Sequence, residues 1–150
     1  MSAAEPVVRV VRTGPIRVGL PEYRTGGAAG LDLEAAIAEP LTLAPLERRL
    51  IPTGLTLEIP EGYEGQIRPR SGLALRHGIS MVNSPGTIDA DYRGEIGVLL
   101  VNLGREPFVV EPHARIAQLV ITRVARARIE EATALSQTHR AGGGYGSTGA

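Results

Sequence analysis

Turn residues punctuate this chain at short, fairly even intervals, and that spacing limits the folds open to it. They fall at Pro40, Pro45, Pro52-Thr53-Gly54, Pro60-Glu61-Gly62, Pro69, Pro85-Gly86, Gly94, Gly104, Pro107 and Pro112. Between them lie short alternating or β-branched runs. Leu55-Thr56-Leu57-Glu58-Ile59 alternates apolar and polar with period two, and Ile96 to Leu103 and Arg115 to Val124 are rich in Val, Ile and Leu. This pattern predicts an all-β sandwich or barrel of many short strands, not βαβ units. One segment departs from it. Ser71 to His77 begins with Ser, contains good helix formers and ends at Gly78, a natural C-cap, so a single short helix of about two turns is expected there.

A chain of 150 residues is one ordinary domain with room for a core. Aromatic residues make up 3% and Trp is absent, so the core must be built from Val, Ile, Leu and Ala. The formal net charge of zero argues against non-specific nucleic-acid binding, which needs a basic excess. All sixteen cationic side chains are Arg, so any phosphate clamp here must use guanidinium forks or backbone amides. The absence of Cys removes disulfides, thiolate zinc sites and cysteine nucleophiles. The first residues, MSAAEPVVRVVR, lack the apolar run of a signal peptide, and Val98 to Val101, the longest aliphatic run, is far too short to span a bilayer. The expectation is a soluble, cytoplasmic protein without a membrane partner. Residues 1–135 are expected to form the β domain. From Ser136 the chain is polar and then Gly-rich, with five Gly between Arg140 and Ala150, which predicts a mobile C-terminal arm over 136–150.

The densest chemistry lies at Gly86 to Gly94, GTIDADYRG. A hairpin that only had to turn would use Asn-Gly or Asp-Gly rather than two carboxylates, a Tyr and an Arg. Asp89 can serve as a general base toward a water if it points into a pocket, and Tyr92 can form an apolar platform under a sugar ring. The simpler reading is a polar hairpin bend with a solvated Asp pair. Asn83-Ser84-Pro85-Gly86, just before it, is on its own only a turn signal. Upstream, Pro69-Arg70-Ser71-Gly72 sets free helix N–H groups, a guanidinium and a hydroxyl where an anion could bind. Its simpler reading is a Ser71 that caps a surface helix.

Three further segments carry weaker signals. In Gly27-Ala28-Ala29-Gly30-Leu31-Asp32-Leu33 the small residues allow close backbone approach and Asp32 offers a carboxylate to a hard cation such as Mg²⁺; alternatively it is a Gly-rich loop leading into a strand. Arg115 to Ile121 reads as a buried strand in which Arg115 and Gln118 need partners, at a polar site or a subunit interface. In the tail, Arg140, Tyr145, Ser147 and Thr148 can fold over a bound anion with Tyr145 stacked on a flat ring, or form a flexible terminus. His77, His113 and His139 lack metal-ligand spacing, and no GxSxG, GKS or GKT occurs.

In this order and spacing the five segments resemble the five motifs of the trimeric deoxyuridine triphosphate nucleotidohydrolases (dUTPases), over almost the whole chain from AAGLDL to the final GSTG. PRSGLA and GTIDADYRG are specific to that family. The resemblance implies a jelly-roll-like distorted β-barrel, a homotrimer with active sites shared between subunits, and Mg²⁺-dependent hydrolysis of dUTP to dUMP and pyrophosphate. That reaction keeps uracil out of DNA and supplies dUMP for thymidylate synthesis. It assigns Asp89 to orienting and deprotonating the water that attacks the α-phosphorus, and Tyr92 to packing beneath the deoxyribose. Asn83 and the backbone of Thr87, Ile88 and Asp89 match the hairpin that reads the uracil edge. Arg70, Ser71 and Gly72 match a phosphate loop from a neighbouring subunit, and Gln118 a residue near the phosphates. Asp32 matches an acid that meets the metal indirectly, through water. The tail is similar to an arm that covers another subunit's site, with Arg140 at the γ-phosphate, the aromatic residue on uracil, and Ser147 and Thr148 beside it. Two positions depart from the family: Tyr145 stands for its usual Phe, and Ala141 for its usual Gly, which stiffens the arm's hinge.

Two rival readings share this scaffold. A deoxycytidine triphosphate deaminase resembles it in fold but places a glutamate at the base and lacks the Gly-rich closing motif. A non-catalytic nucleotide sensor could dispense with Asp89. The presence of IDADYRG and of the tail favours hydrolysis over both.

Overall fold

The computed structural model describes residues 5–144. Its strands are β1 (Arg9–Arg12), β2 (Leu31–Glu34), β3 (Leu41–Leu43), β4 (Arg48–Glu58), β5 (Tyr63–Arg68), β6 (Ile79–Met81), β7 (Gly86–Ile88), β8 (Glu95–Asn102), β9 (Phe108–Val110) and β10 (Arg115–Arg123), with one helix, α1 (Ser71–His77), between β5 and β6. They form two four-stranded antiparallel sheets, β1-β4-β8-β6 and β2-β10-β5-β7, and a two-stranded ribbon, β3-β9. The expected jelly-roll-like, distorted barrel is what forms, built from sheets that do not close into a ring.

The core between the sheets is aliphatic, as the scarcity of aromatic residues requires. Leu33, Ile51, Leu55, Ile67, Ile96, Val98, Leu100, Ile116 and Leu119 are all within a few per cent of complete burial. In β8 burial alternates residue by residue, with Ile96, Val98, Leu100 and Asn102 inward, as the pleat dictates. Asn102 is the polar exception. Its Nδ2 donates to the Leu43 and Glu106 carbonyls (2.9 and 2.8 Å), and its Oδ1 accepts from the Gly104 amide (2.9 Å). The side chain thus ties the end of β8 to β3 and to the turn before β9, and no polar atom of it is left desolvated without a partner.

Two local expectations are corrected. Pro52-Thr53-Gly54 is not a turn between strands but a bulge inside β4, where the register against β8 shifts between Pro52 and Thr56. Gly54 supplies the left-handed φ of 66° that the bulge needs. Its amide is satisfied by the Glu95 carboxylate (2.8 Å), and the Thr53 hydroxyl donates to the Ile96 carbonyl (2.6 Å). The helix spans the expected residues, but Ser71 is its first helical residue rather than its cap. Arg70, extended at φ −91° and ψ 126°, holds the N-cap position, and no side chain caps it. Gly78 closes the helix at φ 69°, as expected.

Candidate active site

Register places three of the sequence-predicted residues, Asp32, Gln118 and Thr87, on one face of the second sheet. Gln118 in β10 lies opposite Asp32 in β2 on one side and Arg68 in β5 on the other. Gln66 in β5 lies opposite Thr87 in β7. Directly opposed residues share a face and residues two apart along a strand share it too, so Asp32, Gln118, Arg68, Gln66, Glu64 and Thr87 form one outward polar surface. The alternate positions, Leu33, Leu119, Ile67, Gly65 and Gly86, are buried. A side-chain ladder runs along β5: Gln66 Nε2 donates to Glu64 (2.9 Å), and Arg68 donates to Gln66 Oε1 through Nη2 (2.6 Å).

At one end of this face the first, second and fourth candidate segments converge. The Asp32 carboxylate, 16% exposed, meets Arg115 Nη1 at 3.0 Å, Arg70 Nε at 3.3 Å and Arg24 Nε at 3.6 Å. Arg70 Nη1 also donates to the Arg115 carbonyl (3.0 Å). Gln118 Nε2 donates to the Pro69 carbonyl (3.0 Å), which fixes the loop that leads into α1. Gly30 gives that side chain room, because a Cβ on it would stand 2.3 Å from Gln118 Oε1 and displace it. Three guanidiniums around one carboxylate leave a net positive charge beside the uncapped start of α1, a setting suited to an anion. Arg115 is exposed at the edge of β10 rather than buried, and the awkwardness that the sequence signalled is resolved by Asp32. Arg24 belongs to no recognisable motif, and nothing in the sequence pointed to it.

The third segment is not the hairpin expected. β7 pairs with β5, whereas β8 pairs with β4 and β6. The chain therefore leaves the first sheet after β6, crosses through the Asn83 loop to the second, and returns through residues 89–94. This return is a compact turn. The Tyr92 amide donates to the Asp89 carbonyl (3.1 Å), and Arg93 Nη1 donates to the carbonyls of Ala90 (2.7 Å) and Tyr92 (2.9 Å). The Tyr92 hydroxyl donates to the Glu95 carbonyl (3.1 Å), and its ring lies over Gly94, where a Cβ would be 2.3 Å from the hydroxyl oxygen. A cleft of about 590 Å³ opens here, lined by Leu50, Pro52, Thr87, Ile88, Asp89, Tyr92, Glu95 and Gly97. Its floor is apolar: Leu50, 67% exposed, lies across Gly97, where a Cβ would meet Leu50 Cδ1 at 2.7 Å. Asn83 lies beside Gly86, its Nδ2 3.2 Å from where a Cβ would sit. Leu50, Pro52, Glu95 and Gly97 complete the cleft and were missed as site residues by sequence reasoning, because their meeting depends on which strands pair.

Within one chain the two halves stay apart. Ile88 lies opposite Gly65, so Asp89 follows at the Glu64 end of β5. Arg68 is four residues further along, about 13 Å at strand rise, and Arg70 lies beyond it. Residues 123–142, which carry Arg140, are exposed throughout, and the last strand ends at Arg123. Ala141 adopts φ 46°, a left-handed conformation that glycine would take without strain. Tyr145, Ser147 and Thr148 lie outside the described residues. Among the described residues no group of three or more His, Cys, Asp or Glu is placed to hold a metal ion, and no helix is long and apolar enough to cross a membrane.

Known proteins share both the sequence and the fold. The dUTPase family model matches residues 17–149. The chain is 60% identical to a deoxyuridine 5'-triphosphate nucleotidohydrolase of Anaeromyxobacter sp. (strain Fw109-5) over 99% of both chains. It is 62% identical to one from Rhizobium etli (strain ATCC 51251 / DSM 11541 / JCM 21823 / NBRC 15573 / CFN 42) over 87% of this chain and 85% of that one. The structure superposes on the Staphylococcus bacteriophage 80alpha dUTPase solved with dUpNHpp at a TM-score of 0.87, with 26% identity over 96% of this chain and 99% of the phage protein. The chain belongs to the dUTPase family.

Proposed function

We propose that this chain hydrolyses dUTP to dUMP and pyrophosphate by attack of water on the α-phosphorus, with Asp89 as the base. The observation that carries this reading is the cleft that Asp89 and Tyr92 line together over an apolar floor, with its second carboxylate, Glu95, already engaged by the Gly54 amide. The deoxyuridine moiety occupies that cleft. The polar backbone of Thr87 to Asp89 and the Asn83 side chain meet the uracil edge, and Tyr92 packs beneath the deoxyribose, where a ribose 2′-hydroxyl would clash. Asp89 accepts a proton from a water as its oxygen bonds to the α-phosphorus, and the bond to the bridging oxygen breaks to release pyrophosphate. Arg70, the Ser71 hydroxyl and the amides of Ser71 and Gly72 neutralise the phosphates, supported from behind by Asp32 and Gln118.

Magnesium finds no cluster of acids placed to cage it among the described residues, and the Asp32 carboxylate is engaged by Arg24, Arg70 and Arg115. Its place is on the substrate phosphates, where it would screen their charge, and Asp32 would touch it only through water. Because Asp89 and Arg70 lie at opposite ends of β5, one site needs the cleft of one copy and the arginine cluster of another. The outward face of the first sheet supports such contact: Leu50, Leu99, Val101 and Val82 are apolar and not buried, whereas a solvated antiparallel face would be polar. A homotrimer completes three such sites. The exposed chain beyond Arg123 is long enough to leave its own domain, and its Gly-rich end, 136–150, is the arm that closes over a partner's site, bringing Arg140, Tyr145, Ser147 and Thr148 to the substrate. We place the enzyme in the cytoplasm, where nucleotide pools are made. Pyrophosphate release measured with dUTP, dTTP, UTP and dCTP tests the reading. Release from dUTP alone is expected, and ammonia from dCTP would overturn it.

A further inference from the structure

Residues 138–143 are held in shape by their own hydrogen bonds. The Ala141 amide donates both to the Thr138 carbonyl (3.1 Å) and to the Thr138 hydroxyl oxygen (3.1 Å). The Gly143 amide donates to the Arg140 carbonyl (3.0 Å), and Arg140 Nε donates back to the Gly143 carbonyl (2.9 Å). These bonds make two overlapping turns on an otherwise irregular, exposed stretch. They hold Ala141 at φ 46°, a conformation that costs an alanine energy and would not persist there without local bonds. The guanidinium is fixed through Nε, so both Nη groups stay outside that bond, and together they can still take an anion in an end-on fork.

We propose that Thr138 is a positioning residue: its hydroxyl holds the Ala141 turn and thereby presents the Arg140 guanidinium preformed to the substrate's phosphates. The inference rests on the role of Arg140 proposed above. Ordering a free Arg side chain and its flexible backbone at the moment of closure would consume binding free energy, and the preformed turn removes part of that cost. Thr138 touches no substrate in this scheme. It acts only through Arg140, which makes the two residues energetically dependent on each other.

A double-mutant cycle on the full-length protein tests this. Thr138→Ala is expected to lower kcat/KM for dUTP about fivefold, chiefly through KM, which is the scale of one neutral hydrogen bond. Thr138→Ser, which keeps the hydroxyl, should retain wild-type kinetics, and the Tm of every variant should match the parent because the turn lies outside the core. In an Arg140→Ala background Thr138→Ala should cost almost nothing further. If Arg140→Ala lowers kcat/KM while Thr138→Ala does not, the positioning role is wrong and the proposed function stands. An equal loss from Thr138→Ala in both backgrounds, or a Thr138→Ser variant as impaired as Thr138→Ala, also overturns it. If Arg140→Ala itself leaves kinetics unchanged, the assigned role of Arg140 fails, and the positioning role fails with it.

Discussion

The carboxylate of Asp32 holds the guanidinium of Arg70, Oδ1 to Nε at 3.3 Å, and so fixes the residue that starts α1. The same carboxylate reaches Arg115 at 3.0 Å, which ties β2, β10 and the loop before the helix into one unit. Asp32 thus anchors the guanidiniums of Arg24, Arg70 and Arg115. Asp32→Asn should raise KM for dUTP about tenfold, as expected for loss of a charge-assisted bond. The magnesium dependence at saturating dUTP should keep its midpoint. A shifted midpoint with an unchanged KM would assign Asp32 to the metal instead.

Tyr92 can lie flat over the turn only because residue 94 has no Cβ. In Gly94→Ala the new methyl would stand 2.3 Å from the hydroxyl oxygen and 2.5 Å from Cζ. The ring must swing away and lose its bond to the Glu95 carbonyl. If that ring excludes the 2′-hydroxyl, the preference for dUTP over UTP, taken as a ratio of kcat/KM values, should fall about tenfold, the discrimination that steric exclusion of a small group provides. An unchanged ratio would show that sugar selection resides elsewhere.

Asn102 makes a structural prediction separate from catalysis. Asn102→Ala empties a fully buried polar position and leaves the Leu43 and Glu106 carbonyls and the Gly104 amide without their partner. Denaturant unfolding should show a loss of about 3 kcal/mol. The kcat of the protein that remains folded should match wild type, because Asn102 contributes nothing to the cleft.

How far the sequence reveals this site depends on whether each feature is local. The helix from Ser71 to His77 was legible because its start and its Gly78 stop lie within the segment itself. The strand at Arg115 to Arg123 was legible from its richness in Ile, Leu and Val. Pro52-Thr53-Gly54 misled because the same residues that make a turn also make a bulge; the difference is the Glu95 carboxylate and Ile96 carbonyl that receive Gly54 and Thr53, forty or so positions away. The crossing at Asn83 to Gly94 misled for a similar reason, since nothing within it says that β7 will choose β5 over β8. The family motifs identify Arg70 and Asp89, but their separation along β5 follows only from register.

The central claim is that the Asp89 side chain deprotonates the attacking water and does not itself hold the nucleotide. The most direct measurement pairs pyrophosphate release from dUTP with calorimetric binding of dUpNHpp, in the wild-type protein and in Asp89→Ala. The account predicts that the substitution abolishes release while leaving the affinity for dUpNHpp within a few-fold of wild type, since the side chain meets the water rather than the ligand. Turnover by the variant comparable to that of the parent would contradict the account.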